Sequence, residues 1–351
     1  MVLFIKSIKK LGLDKTITLN VISRIIQGFS GIVILFFIAR NLSKAEQGYY
    51  FTFASILAIQ IFFELGLSGI ITQFVAHENA QLNWSYDNIV TGKRESISRL
   101  SSLLRLIVKW YAFISIFLLI ALIITGFLFF NNLSYKNNII HWETPWLLLS
   151  FFTSISFLFS PILALFEGLE KIYEVIKMRL LQQIINIALT ILLFTIGFKL
   201  YSAPIASILS FMIVPFWICK KSNWKILKEI WLKKDRWKIN YRIEILPFQW
   251  KIALSWISGY FIFQLFNPVL FAIEGPAIAG KMGMTLAVLN AIYALTFSWI
   301  STKVPIFSKY IALKKFKILD ILFFKTLKQS VFLNGTGLLF FFYCTYDFRF
   351  L

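Results

Sequence analysis

The sequence predicts an all-α polytopic membrane protein with about nine transmembrane helices, and three observations carry that expectation. Hydrophobic residues make up 58% of the 351 positions and charged residues 15%, whereas a soluble domain has roughly 45–50% apolar and about 25% charged residues. The 39 Phe residues are too many for one water-soluble core. The apolar residues also fall into runs that match the length of about 20 helical residues needed to cross a hydrocarbon core of about 30 Å. Between those runs the basic residues alternate from rich to poor.

Nine segments have the required length: 16–39, 48–75, 110–130, 145–166, 180–198, 201–219, 252–273, 277–300 and 329–346. The first follows Lys6, Lys9, Lys10 and Lys15 and is too long for the apolar part of a signal peptide. The second is interrupted by Glu64-Leu65-Gly66, which predicts a kink or a long tilted helix. The third to seventh contain no charged residue, although Gln264 and Asn267-Pro268 interrupt the seventh. The eighth holds Lys281 close to Glu274, and the ninth is diluted by Asn334, Gly335, Thr336 and Gly337. Pro161, Pro204, Pro215, Pro268 and Pro305 sit in or at the ends of spans and permit bending. No two glycines have GxxxG spacing, so a glycophorin-type dimer face is not expected.

Orientation follows from the basic residues. With the N-terminus cytoplasmic, the inside segments 6–15, 93–109, 171–179, 220–251 and 303–328 carry 29 Lys and Arg, and the outside segments carry 5. That imbalance predicts an N-terminus inside and, after nine crossings, a C-terminus outside. The net charge of +20 is then a topology signal and not a sign of nucleic acid, with anionic membrane lipids as the expected partner.

The Lys- and Trp-rich segment 220–251, with Trp224, Trp231, Trp237 and Trp250, reads as an amphipathic linker lying on the membrane surface. Residues 93–105 and 303–320 read the same way. The linker divides a six-helix lobe, 1–219, from a partial three-helix lobe, 252–351. A shift of 235 residues places Ile17-x-Leu19-x-x-Ile22-Ser23 on Ile252-x-Leu254-x-x-Ile257-Ser258, and Gly48 on Gly283. Both copies run in the same direction across the membrane, which makes this a parallel repeat of the kind found in transporters.

Polar groups inside spans are costly and call for a reason. Asn20, Arg24 and Gln27 are spaced i, i+4, i+7 and share a helix face, with Arg24 about 12 Å deep at about 1.5 Å per residue. A guanidinium facing a cavity can hold a phosphate through two parallel hydrogen bonds, or can snorkel back to the headgroups. Glu64 can pair with Arg24 or act as a protonatable coupling site, and Lys281 can pair with Glu274 or line a cavity. Gln183, Asn186 and Thr190 form another polar stripe, and Gln264 and Asn267 a further group, which interhelix hydrogen bonding explains as well as substrate contact does.

Little points to catalysis. Five Asp, none paired, exclude a DxD metal–sugar-nucleotide site, and there is no G-x-x-x-x-G-K-[ST] for ATP. Two Cys and two His, widely spaced, exclude a disulfide framework and speak against a metal centre. His141 and Glu143, in the one outside loop of any size (131–144), stand beside Trp142 as interfacial residues. No catalytic residue, metal or cofactor is expected.

Several residue blocks carry a resemblance. Asn20 and Arg24, Ala39-Arg40-Asn41-Leu42-Ser43, Gly48-Tyr49-Tyr50, Glu64-Leu65-Gly66-Leu67 and Ile71 to Glu78 together resemble the polysaccharide-transport branch of the multidrug/oligosaccharidyl-lipid/polysaccharide exporters, the Wzx-like flippases. The match is strongest over 16–78. The resemblance implies a flippase that moves an undecaprenyl-pyrophosphate-linked oligosaccharide across a bacterial inner membrane by alternating access, in the synthesis of O-antigen, capsule or exopolysaccharide. It would work beside a polysaccharide polymerase and a chain-length regulator. Arg24 and Lys281 would contact pyrophosphate in a cavity also lined by Asn20, Gln27, Glu64, Gln183, Asn186 and Gln264. The family has at least twelve helices, so nine imply a C-terminally truncated relative. Two alternatives stand beside this reading. A multidrug or small-cation exporter of the same fold would favour buried carboxylates, and a membrane polymerase or ligase would need a large catalytic outside loop, which the sequence lacks.

Overall fold

The structure, a computed structural model, describes residues 15–85, 88–132, 140–233, 235–301, 303, 307, 310–311 and 314–347. Lys6, Lys9, Lys10, Pro305 and half of the loop 131–144 lie outside them. The described chain is helical apart from one small hairpin, and it is a multi-pass membrane protein. Seven helices are long and apolar enough to cross a membrane, and a bent pair, Lys44–Glu64 with Leu67–Asn79, makes an eighth. The ninth predicted span forms the second half of a long helix but falls outside these eight, because its polar Asn334 to Gly337 stretch interrupts the apolar run.

In chain order the helices are α1 (Lys15–Asn41), α2 (Lys44–Leu57), α3 (Ile61–Glu64) and α4 (Leu67–Asn79), followed by α5 (Arg94–Asn132), α6 (Glu143–Gly168) and α7 (Ile172–Ile196). After these come α8 (Ser202–Phe211), α9 (Ile213–Cys219), α10 (Lys221–Leu232), α11 (Leu246–Phe263), α12 (Phe266–Glu274), α13 (Pro276–Ser301) and α14 (Phe316–Asp347). Between α4 and α5, strand β1 (Leu82–Trp84) pairs antiparallel with β2 (Val90–Gly92), with Asn83 opposite Thr91. The contacts divide the chain into two compact units, residues 1–40 with 284–351, and residues 41–283.

Local chemistry sets the helix ends. Ser43 and Glu46 form a reciprocal capping box at α2: the Ser43 hydroxyl accepts from the Glu46 N–H at 3.2 Å, and the Ser43 N–H donates to Glu46 Oε2 at 2.7 Å. Helix α7 ends on Gly197 at φ 97°, a left-handed position that favours glycine. The predicted break in the second span is present: Leu65 at φ 48° and Gly66 at φ 70° are both left-handed, and the flanking helices bend by 43°. The interruption of the seventh span is also present, since α11 stops at Phe263 and α12 starts at Phe266.

Residues 94–105 form the first turns of α5, whose 39 residues extend about 58 Å at about 1.5 Å per residue. That is well beyond the hydrocarbon thickness, so one end of α5 projects as a stem. The segment 220–251 divides into α10, a strap and the turn that opens α11. Helix α10 and the strap that follows it lie along the stem, where serine hydroxyls pair with strap backbone. Ser98 Oγ donates to the Trp237 carbonyl at 2.8 Å and accepts from the Asp235 N–H at 3.1 Å. Ser102 accepts from the Ile239 N–H at 3.3 Å, and Ser101 donates to the Trp231 carbonyl at 3.4 Å. These bonds give the irregular strap backbone partners that it has no ladder of its own to supply.

Within 41–283 the helices meet at small residues, as membrane helices do when no hydrophobic drive separates them from lipid. Ser160, Ala164 and Gly168 recur every fourth residue on α6 and face α4. There Ser68 and Ser160 share a hydrogen bond of 3.1 Å, Thr72 Oγ1 donates to the Ala164 carbonyl at 3.2 Å, and a Cβ on Gly168 would stand 2.7 Å from the Thr72 carbonyl. The glycine-only pattern of the sequence missed this ladder because two of its three members are Ser and Ala. On the α5 side, Gly126 makes room for the fully buried indole of Trp146, whose Nε1 donates to the Leu122 carbonyl at 3.1 Å. Gly48 and Gly283, paired by the 235-residue shift, both lie where α2 meets α13: a Cβ on Gly48 would overlap the Pro276 carbonyl, and one on Gly283 would overlap the Phe51 ring. Tyr49, Phe53, Phe130, Trp146 and Phe271 form an aromatic core beside this contact, with centroids 5.0–6.1 Å apart along neighbouring pairs. Phe216, Phe263 and many other large apolar side chains point outward, as lipid-facing residues do.

The other unit packs α14 against the adjoining part of α13. Thr296 Oγ1 donates to Asn334 Oδ1 at 3.0 Å, and a Cβ on Gly337 would stand 2.8 Å from Ile292. The residues that dilute the ninth segment therefore make its helix contacts.

Gly48→Val is expected to lower stability in detergent by about 1–3 kcal/mol, the cost of overpacking. Gly69→Ala, at a position with nothing within 4 Å, should leave stability equal or slightly raised. Thermal unfolding of the two variants checks this pair of outcomes.

Candidate functional site

The eight residues expected to line a cavity divide between the two units. Asn20, Arg24 and Gln27 belong to the unit of 1–40 with 284–351, and Glu64, Gln183, Asn186, Gln264 and Lys281 to the unit of 41–283. On α1, Asn20 and Gln27 are exposed and Arg24 is half-buried. The Arg24 guanidinium lies 5.7 Å from the centroid of the Phe297 ring of α13, a cation–π contact. Among the described residues of this unit, no carboxylate stands within ion-pair distance of it. A guanidinium can carry such a ring contact and still offer paired N–H donors to an oxyanion.

Glu64 is the last residue of α3 and stands directly before the left-handed pair Leu65-Gly66. A carboxylate at a helix C-terminus opposes the helix dipole, and an ionisable group in a span adds its own insertion cost. One turn beyond the break, Ser68 shares a hydrogen bond with Ser160 of α6 at 3.1 Å. The break packs on α11, where a Cβ on Gly66 would meet Ile252, and Phe62 stacks edge-on with Tyr260 at 4.9 Å.

The remaining candidates make structural contacts. Asn186 Nδ2 donates to Ser210 Oγ at 3.2 Å and to Ser207 Oγ at 3.4 Å, which turns the Gln183–Asn186–Thr190 stripe of α7 toward α8. Gln264 is half-buried at the break between α11 and α12, its N–H donating to the Tyr260 carbonyl at 2.8 Å. Lys281 is exposed on the first turns of α13. Asn267 is buried; with its amide nitrogen toward Ala279, it donates to that carbonyl at 3.0 Å and accepts from the Thr52 hydroxyl and N–H at 3.2 Å. One amide thus pins α2, α12 and α13.

A second polar group escaped the sequence. Glu78, only 4% exposed, ends α4. Arg99 on the α5 stem donates from Nε to Glu78 Oε1 at 2.8 Å, and its other edge grips Glu244 in the turn that opens α11. The guanidinium lies 5.1 Å from the Phe74 centroid, and Glu244 also accepts from the Asn240 N–H at 2.9 Å. Three chain segments meet at one cation. The partners lie 21 and 145 residues from Arg99, so no local spacing records them; a buried-side Glu against the helix dipole was the only signal.

Chemically, the Arg24 stripe offers a cation to an anion, and Glu64 places a carboxylate at a helix break. Among the described residues, no group of three His, Cys, Asp or Glu is placed to hold a metal. Comparison with family models, with curated proteins and with solved structures finds no match to this chain.

Arg99→Met leaves Glu78 buried without a counter-charge and is expected to cost about 3–5 kcal/mol, whereas Arg99→Met with Glu78→Leu should cost much less than the two single changes together. Unfolding of the four proteins in one detergent measures the coupling.

Proposed function

We propose that the chain is a transporter that flips an undecaprenyl-pyrophosphate-linked oligosaccharide across a bacterial inner membrane, N-terminus cytoplasmic, in the synthesis of a surface polysaccharide. The observation that carries this reading is Arg24. It lies on the polar stripe of the first span, with the Phe297 ring 5.7 Å from its guanidinium and no carboxylate within ion-pair distance among the described residues of its unit. The parallel repeat, the two broken spans and the resemblance over 16–78 support the same reading. Broken helices at membrane depth are where transporters place substrate and ion contacts. With the inside negative, outward movement of an anion is favoured by about 2.3 kcal/mol per charge per 100 mV, so transport needs no nucleotide.

Glu64 favours a second reading, a cation-coupled exporter of small molecules on the same fold, because its carboxylate stands at the break of a bent span.

Deleting the gene and following lipid-linked glycan by leaflet separates the two. The flippase reading expects glycan trapped on the cytoplasmic face and cleared by the 351-residue chain. No trapping moves the assignment to the exporter. In the rescue, Arg24→Ala should abolish clearance and Arg24→Lys should keep part of it, since Lys retains the charge but loses the bidentate fork; full clearance with Arg24→Ala removes that residue from the mechanism.

A further inference from the structure

Helix α10 has three chemically distinct sides, and the structure accounts for two of them. Asn223, Ile226 and Ile230 are buried against the protein, and Asn223 Nδ2 donates to the Trp217 carbonyl at 2.9 Å where α9 ends. A polar flank is tied to the hairpin: Ser222 Oγ accepts from Asn88 Nδ2 at 3.2 Å, and Glu229 pairs with Lys233 at 2.7 Å while Lys233 also donates to the Val90 carbonyl at 2.8 Å. The end of the helix is bolted to the α5 stem through Ser101 and Arg105, both on the Trp231 carbonyl, with the Arg105 guanidinium 5.2 Å from the Trp231 ring.

The third side is Lys221, Lys225 and Lys228, spaced i, i+4, i+7 in one exposed row that continues into Leu232, 64% exposed. Beside the row stand Trp224, 56% exposed, and Trp231. Among the described residues none of these three lysines has a carboxylate within ion-pair distance, although Lys233, Lys93 and Lys199 each have one. Like charges at i, i+4 destabilise a helix. A row of them, held rigid and without counter-charge beside exposed indoles, calls for an anion outside the protein that comes with an apolar neighbour.

We infer that this face of α10 is a docking surface for anionic phospholipid headgroups, with Lys221, Lys225 and Lys228 on the phosphates and Trp224, Trp231 and Leu232 in the headgroup–acyl boundary. Indole at that depth and lysine at the phosphates is the arrangement that interfacial helices use. The surface is independent of what the protein transports. Because α10 is fixed to the stem and hairpin, it is preorganised for lipid and does not fold on arrival.

The test uses the full chain, purified in a neutral detergent and mixed with phosphatidylcholine or with an equimolar mixture of phosphatidylcholine and phosphatidylglycerol. Melting temperature and bound lipid by native mass spectrometry are the readouts. Phosphatidylglycerol is expected to raise the melting temperature beyond phosphatidylcholine. The triple change Lys221→Gln, Lys225→Gln, Lys228→Gln should remove that difference, with affinity falling about fivefold per lysine, and the corresponding Lys→Arg triple should retain it. If the Gln triple does not fold, Lys225→Gln alone carries the test. The inference is overturned if the Gln triple keeps the full shift, if inorganic phosphate reproduces it, or if Gln at Lys314, Lys315 and Lys317 removes it equally.

Discussion

Close approach of helix backbones is the constraint on which the unit of 41–283 depends. Lipid tails are as apolar as leucine, so burying apolar side chains does not pull membrane helices together; packing and interhelix hydrogen bonds must do so. Helix α6 meets this requirement on two sides. Gly168 and Ala164 let α4 come near enough for Thr72 to reach a backbone carbonyl, and Gly126 of α5 opens a slot for Trp146. Once α6 has fixed α4 and α5, the end of α4 and the start of α5 lie side by side, and Glu78 can meet Arg99 at 2.8 Å. The ion cluster is a consequence of the glycine contacts and would be unaffordable without them, because a carboxylate so deeply buried has to be paired.

The α5 stem is the second organising element. Its serines, unremarkable in a span, become docking points once the helix outruns the hydrocarbon. Each hydroxyl both donates and accepts, which suits a strap that runs without a ladder of its own. Ser98 does both at once, to Trp237 and Asp235.

How much was legible follows from which signals are local. Apolar runs gave the membrane-crossing helices, and the two interruptions fell where Glu64-Leu65-Gly66 and Gln264 predicted, because polar and glycine residues act on the backbone within a turn. The continuity of α5 was not legible, since Arg94 to Lys109 has the composition of a surface segment and nothing local says that the helix continues into the span. The hairpin at Leu82–Gly92 has only three paired positions on each strand, too few for a period to register. Of the site, the Asn20–Arg24–Gln27 stripe and the Gln183–Asn186 stripe were legible as helix faces. The neighbour of each was not: Phe297 under Arg24 and Ser210 at Asn186 depend on packing between distant segments. Arg99 with Glu78 and Glu244 was wholly hidden for the same reason.

Helix α11 joins the two polar groups of this unit. The turn Tyr241–Ile245 runs directly into it, so Glu244 is held by Arg99 at one end, while Ile252 covers Gly66 two turns further along. The left-handed residues of the break cost about 1–2 kcal/mol for Leu65 alone, and a broken span resists bending less than an intact helix. What keeps the kink at its observed angle is therefore the side chain above it. Ile252 on Gly66 and Glu244 on Arg99 thus tie the kink and the ion cluster to one helix. Glu64, directly before the break, takes its position from the same contact.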